Sequence, residues 1–141
     1  MNELDSIIAA MYECVCYEEG GHPDWERNDT LFAPGARLVR INDGGIFEFD
    51  MKSYRVDFER MIARRELPSF WEGEIWREER LFGDMAHVLS AYETRRTPSG
   101  PVVNRGVNSI QLFKRNGTWK INSLIWRREG RDVRIPLEPD R

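Results

Sequence analysis

Apolar residues recur at steps of three and four in three stretches of the chain, which is the spacing of an amphipathic helix. The first stretch predicts a helix over about residues 2–19. Its apolar members are Leu4, Ile7, Ile8, Met11, Cys14 and Val15. The second helix begins at Pro23, and the third follows the capping residue Asp50. The signals that end the three helices are Gly20-Gly21, Pro34-Gly35 and Leu67-Pro68.

Shorter apolar runs with turn signals between them predict strands. Two short strands, 36–41 and 46–49, flank a turn at residues 42–45. Four long strands are then expected at about 70–82, 85–95, 105–115 and 118–129, with two-residue hairpin turns at Gly83-Asp84 and Asn116-Gly117. Helices followed by an antiparallel meander predict one α+β domain over residues 1–129, with helices packed on a curved, mainly antiparallel sheet. A charged, proline-containing tail at 130–141 is expected to be loosely held.

The two hairpin turns fix which side chains face the helices. The first turn sets four pairs: Leu81 with Ala86, Glu79 with Val88, Arg77 with Ser90, and Ile75 with Tyr92. The second turn sets three pairs: Lys114 with Trp119, Leu112 with Ile121, and Ile110 with Ser123. A β-bulge near Asn122-Ser123 would also bring Leu124 and Trp126 inward. The opposite, outer face of the first hairpin would carry Glu74, Trp76, Glu78, Arg80, His87, Leu89, Ala91 and Glu93.

The predicted inner face is apolar with a few polar groups, which is how small-molecule sites are built. Its apolar part is Ile75, Leu81, Val88, Tyr92, Ile110, Leu112, Trp119, Ile121, Leu124 and Trp126. Arg77 would meet an anionic ligand there or form a structural ion pair with Glu79, Glu13 or another acid. Asn108 and Ser90 would contact a ligand or satisfy backbone groups at a strand end. Trp119 is expected in the core, whereas Trp126 could serve the core or a ligand.

Composition and charge exclude several classes of function. The 141 residues suit a single domain, and a net charge of -3 lacks the basic excess needed for nucleic-acid binding. The acidic start of the chain and the lack of a long apolar run predict a cytoplasmic protein without a membrane partner. Cys14 and Cys16 would point apart on a helix, so a disulfide is not expected. With His22 and His87 they make a poor zinc site, and no metal or cofactor is predicted.

The order of elements and three sequence strings resemble the nuclear transport factor 2-like superfamily, especially its SnoaL-like and ketosteroid-isomerase-like members. The strings are Leu31-Phe32-Ala33-Pro34-Gly35-Ala36, Gly83-Asp84-Met85-Ala86-His87-Val88 and Asn116-Gly117-Thr118-Trp119-Lys120-Ile121. The resemblance covers about residues 3–129. It implies a cone-shaped half-barrel in which helices cover the concave face around a conical pocket. It also implies a homodimer through the outer sheet face.

The catalytic groups that this resemblance would imply are missing from this sequence. The isomerase-like positions for the acidic donor and the base fall at about Ile110 and near Arg40. The dehydratase-like branch uses a pocket histidine, whereas His87 is expected to face outward and His22 lies in a loop. The anion-contacting positions of the kinase-association branch fall at Tyr92, Ile110 and Trp126, where that branch has arginine.

Three hypotheses about function follow. The first is a non-catalytic protein that binds a small apolar or aromatic ligand through Arg77, Ser90, Tyr92, Asn108, Ile110, Trp126, Tyr12 and Glu13. The second is a lyase or isomerase, of the isomerase, cyclase or dehydratase kind, for a polyketide-like or steroid-like substrate. There Tyr92 or Tyr12 would donate a hydrogen bond and an acid such as Glu13 would be the base. The third is a dimerising module that buries Trp76, Leu89 and Phe113.

Overall fold

The computed structural model describes residues 2–135, in which three helices precede or interrupt six strands. The helices are α1 (Glu3–Cys14), α2 (Trp25–Leu31) and α3 (Met51–Ala63). The strands are β1 (Phe32–Asn42), β2 (Gly45–Phe49), β3 (Trp71–Phe82), β4 (Met85–Arg95), β5 (Val102–Arg115) and β6 (Thr118–Arg128). This order agrees with the helices and strands predicted from the sequence.

The six strands form one curved sheet in the order β2-β1-β6-β5-β4-β3. Neighbouring strands are antiparallel except for β1 and β6, which run parallel. The helices pack on the concave face and contribute Ile8, Tyr12 and Phe58 to the buried core. The prediction of an α+β half-barrel, mainly antiparallel and covered by helices on one side, is therefore confirmed.

Two helices are shorter than predicted. A capping box at Asn2 starts α1. The helix ends at Cys14, because Tyr17 forms an isolated bridge with Phe70. The two residues exchange two backbone hydrogen bonds, at 2.9 and 3.0 Å. The second helix ends at Leu31, and Pro34-Gly35 lies within β1, where its pairing with β6 is interrupted. The bridge holds the start of β3 next to the end of α1. This contact positions the candidate functional site.

The register of the first hairpin is partly as predicted. Leu81 pairs with Ala86 and Arg77 with Ser90, but a bulge between Glu74 and Trp76 changes the alternation beyond it. The predicted pairing of Ile75 with Tyr92 is wrong, since Glu74 takes that position. Ile75 is 45% exposed and Leu81 55% exposed, so neither belongs to the inner apolar surface. The bulge turns the first part of β3 over, and Glu74 moves from the predicted outer face to the inner one.

The second hairpin contains the bulge that the sequence predicts. Lys114 pairs with Trp119 and Leu112 with Ile121, after which Gln111 pairs with Ser123 and leaves Asn122 as the extra residue. Ile110 consequently pairs with Leu124, so its predicted pairing with Ser123 is wrong. Leu124 and Trp126 both face inward as a result, and Trp119 lies in the core.

The first residues of the predicted tail are attached to the domain. The backbone N–H of Arg131 donates to the Asp43 carboxylate at 2.9 Å, and that of Ile135 donates to Glu129 Oε2 at 2.8 Å. Ile135 is buried. The expectation of a loosely held tail is wrong for residues 130–135, and residues 136–141 lie outside the described part of the chain.

Candidate functional site

A cavity of about 390 Å³ lies between the helices and the concave face of the sheet. Its size is within the range of small-molecule sites in proteins. Most of the lining is apolar or aromatic, and all three helices contribute to it. The apolar and aromatic lining residues are Met11, Val15, Phe32, Leu38, Phe47, Tyr54, Phe58, Met61, Leu67, Phe70, Tyr92, Leu124 and Trp126. The polar ones are Asn28, Arg40, Asn42, Glu72, Thr94, Asn104, Asn108 and Arg128.

Glu72 places a carboxyl group in this cavity. Its backbone N–H donates to Cys16 Sγ at 3.4 Å, and the residue pairs with Thr94 of β4, so its Cα is held at the start of β3. Among residues 2–135 the carboxyl has neither a hydrogen-bond donor nor an ion-pair partner. Burial without a compensating charge raises the pKa of Glu72 to about 8. The carboxyl is therefore mostly protonated at neutral pH and can exchange a proton there.

Two tyrosine hydroxyl groups share the cavity with Glu72. Tyr54 projects from α3 and packs edge-to-face on Trp126, with 5.8 Å between ring centroids. Tyr92 projects from β4, and the described part of the chain offers a hydrogen-bond partner to neither hydroxyl. Burial, followed by repulsion from Glu72, raises the pKa of both tyrosines above the usual range. Both stay protonated and can donate a hydrogen bond to a ligand.

A third tyrosine is held in a polar network beside the cavity. Asn108 Nδ2 donates to the Tyr12 hydroxyl at 2.9 Å, and 2.6 Å separates that hydroxyl from Ser90 Oγ. Ser90 in turn donates to Glu74 Oε2 at 2.5 Å. Asn108 lines the cavity, whereas Tyr12 and Ser90 lie behind it. The network joins the cavity wall to an ion-pair cluster at the edge of the sheet.

That cluster surrounds Arg77. Its guanidinium contacts Glu74 at 3.0 Å, Glu79 at 2.9 Å and also the carboxylate of Asp5 in α1. Arg77 does not line the cavity. The sequence left two roles open for Arg77, a contact with an anionic ligand or a structural ion pair. The structure shows the ion pair, because the guanidinium is already bound to three carboxylates.

Solved structures share this arrangement of helices and sheet, although neither a family model nor a curated protein sequence matches the chain. A protein of unknown function with a cystatin-like fold from Nostoc punctiforme superposes with a TM-score of 0.69 and 15% identity, over 90% of this chain and 89% of the other. A nuclear transport factor 2-like protein of unknown function from Silicibacter pomeroyi gives a TM-score of 0.62 and 14% identity over 90% and 93%. The protein has the nuclear transport factor 2-like fold.

Two further solved structures share this fold, and one of them is named as an enzyme. A candidate dehydratase of the nuclear transport factor 2-like family from Streptomyces avermitilis is 15% identical, with a TM-score of 0.63 over 89% of this chain and 93% of the other. The structure of LinA is 10% identical, with a TM-score of 0.67 over 91% and 84%. At these identities the likeness concerns the fold alone.

Within the nuclear transport factor 2-like fold, the remaining predicted site residues separate into two groups. Tyr92, Asn108 and Trp126 line the cavity. Ile110 is fully buried in the core, and Glu13 projects outward to Arg27 at 3.1 Å, with 62% of its side chain exposed. Neither Ile110 nor Glu13 lines the cavity: Ile110 packs in the core on the concave face, and Glu13 lies on the solvent side of α1.

The histidines and the family-implied position at Arg40 also have defined surroundings. His87 is on the outer face as predicted, with Nε2 3.1 Å from Ser109 Oγ. His22 lies in the loop before α2, where Nδ1 contacts the carbonyl oxygen of Pro23. Arg40 lines the cavity but pairs with Asp57 of α3 at 3.0 Å. In residues 2–135 no group of three acidic, cysteine or histidine side chains is arranged to hold a metal ion.

Sequence reasoning missed Glu72, Tyr54 and Asn28 as cavity residues. Glu72 was missed because the alternation of β3 was counted through Ile75 without a bulge, which assigns even-numbered residues to the outer face. The consecutive apolar pair Ile75-Trp76, in a strand that otherwise alternates, is the signal that could have indicated the bulge. Tyr54 keeps the helical spacing of the apolar residues of α3, which alone predicts only a core position. Asn28 is fully buried on α2, and its Nδ2 has no acceptor within the described residues.

None of the helices in residues 2–135 has the length and hydrophobicity that crossing a membrane requires.

Proposed function

We propose that the protein binds a small apolar or aromatic molecule in the cavity on the concave face of the sheet. The observation that carries this proposal is the cavity itself: about 390 Å³, lined mainly by apolar and aromatic side chains, with few polar groups. Such a surface gains free energy when an apolar ligand replaces water. The unpartnered polar groups of Glu72, Tyr54 and Tyr92 would orient the ligand rather than supply most of the affinity.

A thermal-unfolding screen with sterol-like, polyketide-like, aromatic-acid and terpenoid compounds tests this proposal. A compound at about 100 times its Kd stabilises the folded state by roughly 2.7 kcal/mol, which a melting curve resolves. Met61→Trp fills the cavity from α3, and Ile62→Trp is its matched control, because Ile62 packs on the same helix without lining the cavity. The shift should occur in the unmodified protein and in Ile62→Trp and be lost in Met61→Trp. A shift that survives Met61→Trp would place the ligand elsewhere.

Glu72 favours a second candidate function, an acid–base enzyme of the isomerase, cyclase or dehydratase kind found among SnoaL-like proteins. A general base works best when its pKa is near the working pH, and the pKa of Glu72 is about 8. In this proposal the ionised carboxylate removes a proton from carbon next to a substrate carbonyl. The Tyr54 and Tyr92 hydroxyls donate hydrogen bonds to the enolate oxygen that develops. Glu72 thereby replaces Glu13 as the base, and Tyr54 replaces Tyr12 as the donor beside Tyr92.

The pH dependence of turnover tests the enzyme proposal. With an enolisable ketone that binds in the screen, kcat/KM should rise with pH through about 8, because only the ionised carboxylate accepts a proton. Glu72→Gln should abolish turnover while leaving Kd within a few-fold. A profile that is flat between pH 6 and 10, or a Glu72→Gln variant with full activity, would contradict the role of Glu72 and leave the binding proposal standing.

A homodimer through the outer sheet face remains a separate proposal. Trp76, Leu89 and Phe113 are only half-buried there, and Ile125 beside them is 43% exposed. Covering these side chains with a second copy would remove apolar surface from water. Sedimentation at micromolar concentration should give a dimer that Ile125→Glu dissociates. A monomer under those conditions would contradict the proposal.

A further inference from the structure

We infer that the cavity selects aromatic carboxylic acids that carry a hydroxyl or amino donor at the end opposite the carboxylate. The carboxylate would bind Arg128 and Tyr92, and the donor would bind Glu72. This inference rests on the proposed small-molecule binding and names the class of ligand. It follows from two unpartnered polar groups of opposite kind, Glu72 and Arg128, that line one largely apolar cavity from β3 and β6, three strand spacings apart.

The acceptor end is formed by Glu72. Its carboxyl accepts no hydrogen bond in the described part of the chain, and the cavity residues that precede it, Leu67 and Phe70, are apolar. Protonated or ionised, a carboxyl group accepts a hydrogen bond through an oxygen. A ligand hydroxyl or amine would supply the bond that the chain itself does not provide. A polar group shielded from water without a partner is unfavourable, and such a ligand would supply the missing hydrogen bond.

The other end is a row of three residues across three neighbouring strands. Tyr92 of β4 pairs with Gly106 of β5, and Gly106 pairs with Arg128 of β6. A Cβ atom built on Gly106 would lie 2.4 Å from the Tyr92 hydroxyl oxygen. The tyrosine side chain therefore crosses the glycine in the direction of β6 and brings its hydroxyl toward Arg128. Glycine is the one residue at this position that leaves room for the hydroxyl.

Arg128 is the cavity guanidinium that remains available. Arg40 also lines the cavity, but Asp57 neutralises it at 3.0 Å. Arg128 has no carboxylate partner within residues 2–135, since Asp43, whose pKa Arg128 helps to lower, is paired with Arg127 at 3.2 Å. A free guanidinium beside a protonated phenol offers several donors to one anionic group. That combination matches a carboxylate.

The separation between the two ends sets the length of the ligand. Glu72 and Arg128 lie on β3 and β6, three strand spacings apart, so their backbones are about 14 Å apart before the curvature of the sheet brings them closer. Side chains of a strand stand roughly perpendicular to the sheet, so both line the cavity without filling the gap between their strands. One aromatic ring with a short acidic side chain can bridge that gap, and the Trp126 and Tyr54 rings offer it aromatic contacts.

Calorimetric titration with three related probes tests the inference. 4-Hydroxycinnamate has both groups, cinnamate lacks the donor, and 4-vinylphenol lacks the acid. At pH 7 we expect 4-hydroxycinnamate to bind about tenfold more tightly than either of the others, because each missing group removes one polar contact. Glu72→Leu should reduce its affinity to that of cinnamate, and Arg128→Gln should reduce it to that of 4-vinylphenol. Each variant should leave the probe that lacks the corresponding group unchanged.

Arg127→Gln is the matched control for charge, since Arg127 precedes Arg128, pairs with Asp43 and does not line the cavity. It should bind all three probes as the unmodified protein does. If the three probes bind equally, or if Arg128→Gln weakens 4-vinylphenol as much as the acids, this inference is wrong while cavity binding stands. If no probe binds and the broader screen also gives no shift, the proposed function fails with it.

Discussion

Glu72 and Glu74 lie two residues apart on one strand and face the same side of the sheet, yet their surroundings are opposite. Glu74 accepts hydrogen bonds from Ser90 and Arg77, and its charge is balanced by the guanidinium. Glu72 has no such partner among residues 2–135 and faces the cavity instead. The fold requires the carboxylate of Glu74, whereas the carboxylate of Glu72 lowers the stability of the fold when it is ionised. A carboxylate that a fold carries at a cost is a better candidate for function than one that is fully paired.

The largest expected effect that separates the two acids is a pH dependence of stability caused by Glu72. Its pKa is about 8 in the folded state against an ordinary value of 4.5, so between these values the folded state binds the extra proton. Stability therefore falls as pH rises from about 4.5 through 8, by roughly 2–4 kcal/mol. Urea titrations at intervals of pH should show this slope, and Glu72→Gln should remove it.

The carboxylates with lowered pKa values act in a different pH window. Backbone hydrogen bonds lower the pKa of Asp5, Asp43 and Asp50, so their contribution is lost only as pH falls below about 4. They provide the internal control, because Glu72→Gln should leave that acidic limb unchanged. A slope between pH 5 and 8 that persists in Glu72→Gln would assign it to another group.

The next effect concerns the paired acid and its partner. Arg77→Met leaves three carboxylates without their shared cation, and we expect the free energy of unfolding to fall by about 2 kcal/mol after allowance for partial exposure. Arg80→Met is the matched control on the same strand: Arg80 is 80% exposed and lies 3.7 Å from Glu78. Chemical denaturation at pH 7 should separate the two variants clearly. Equal effects would mean that the cluster contributes no more than a surface pair.

The contrast between the two acids also explains how far the sequence could predict the site. The two-residue turns fixed the pairing near each hairpin, and the apolar residues on both sides of Asn122 required a bulge there. In β3 the corresponding sign, the consecutive apolar pair Ile75-Trp76, is weaker, because charged residues occupy both faces of that strand. A shift by one residue reverses every side chain beyond it, so the register without a bulge placed Glu74 on the wrong face and did not bring Glu72 into the cavity. No such register error affects Tyr92, Asn108 and Trp126, and the sequence predicted that these three residues face inward.

A smaller difference in stability is expected between two tyrosine hydroxyl groups, one with hydrogen-bond partners and one without. The Tyr12 hydroxyl links Asn108 to Ser90, so Tyr12→Phe leaves buried polar atoms without partners and should lower stability by about 1–2 kcal/mol. The Tyr54 hydroxyl has no partner among residues 2–135, and Tyr54→Phe should change stability by less than about 0.5 kcal/mol. Thermal unfolding of both variants measures the difference. Equal losses would show that the Tyr54 hydroxyl has a structural role that its surroundings do not reveal.

The smallest expected change in stability belongs to Arg128, at the other end of the cavity from Glu72. Arg128→Gln removes no ion pair within residues 2–135, so the free energy of unfolding should stay within about 0.5 kcal/mol of that of the unmodified protein. Arg127→Gln breaks the contact with Asp43 and should cost slightly more. Denaturation of both variants without ligand gives the comparison. If Arg128→Gln lowers the free energy of unfolding by more than about 1 kcal/mol without ligand, Arg128 is a structural residue like Arg77. The cavity then lacks a free cation among residues 2–135.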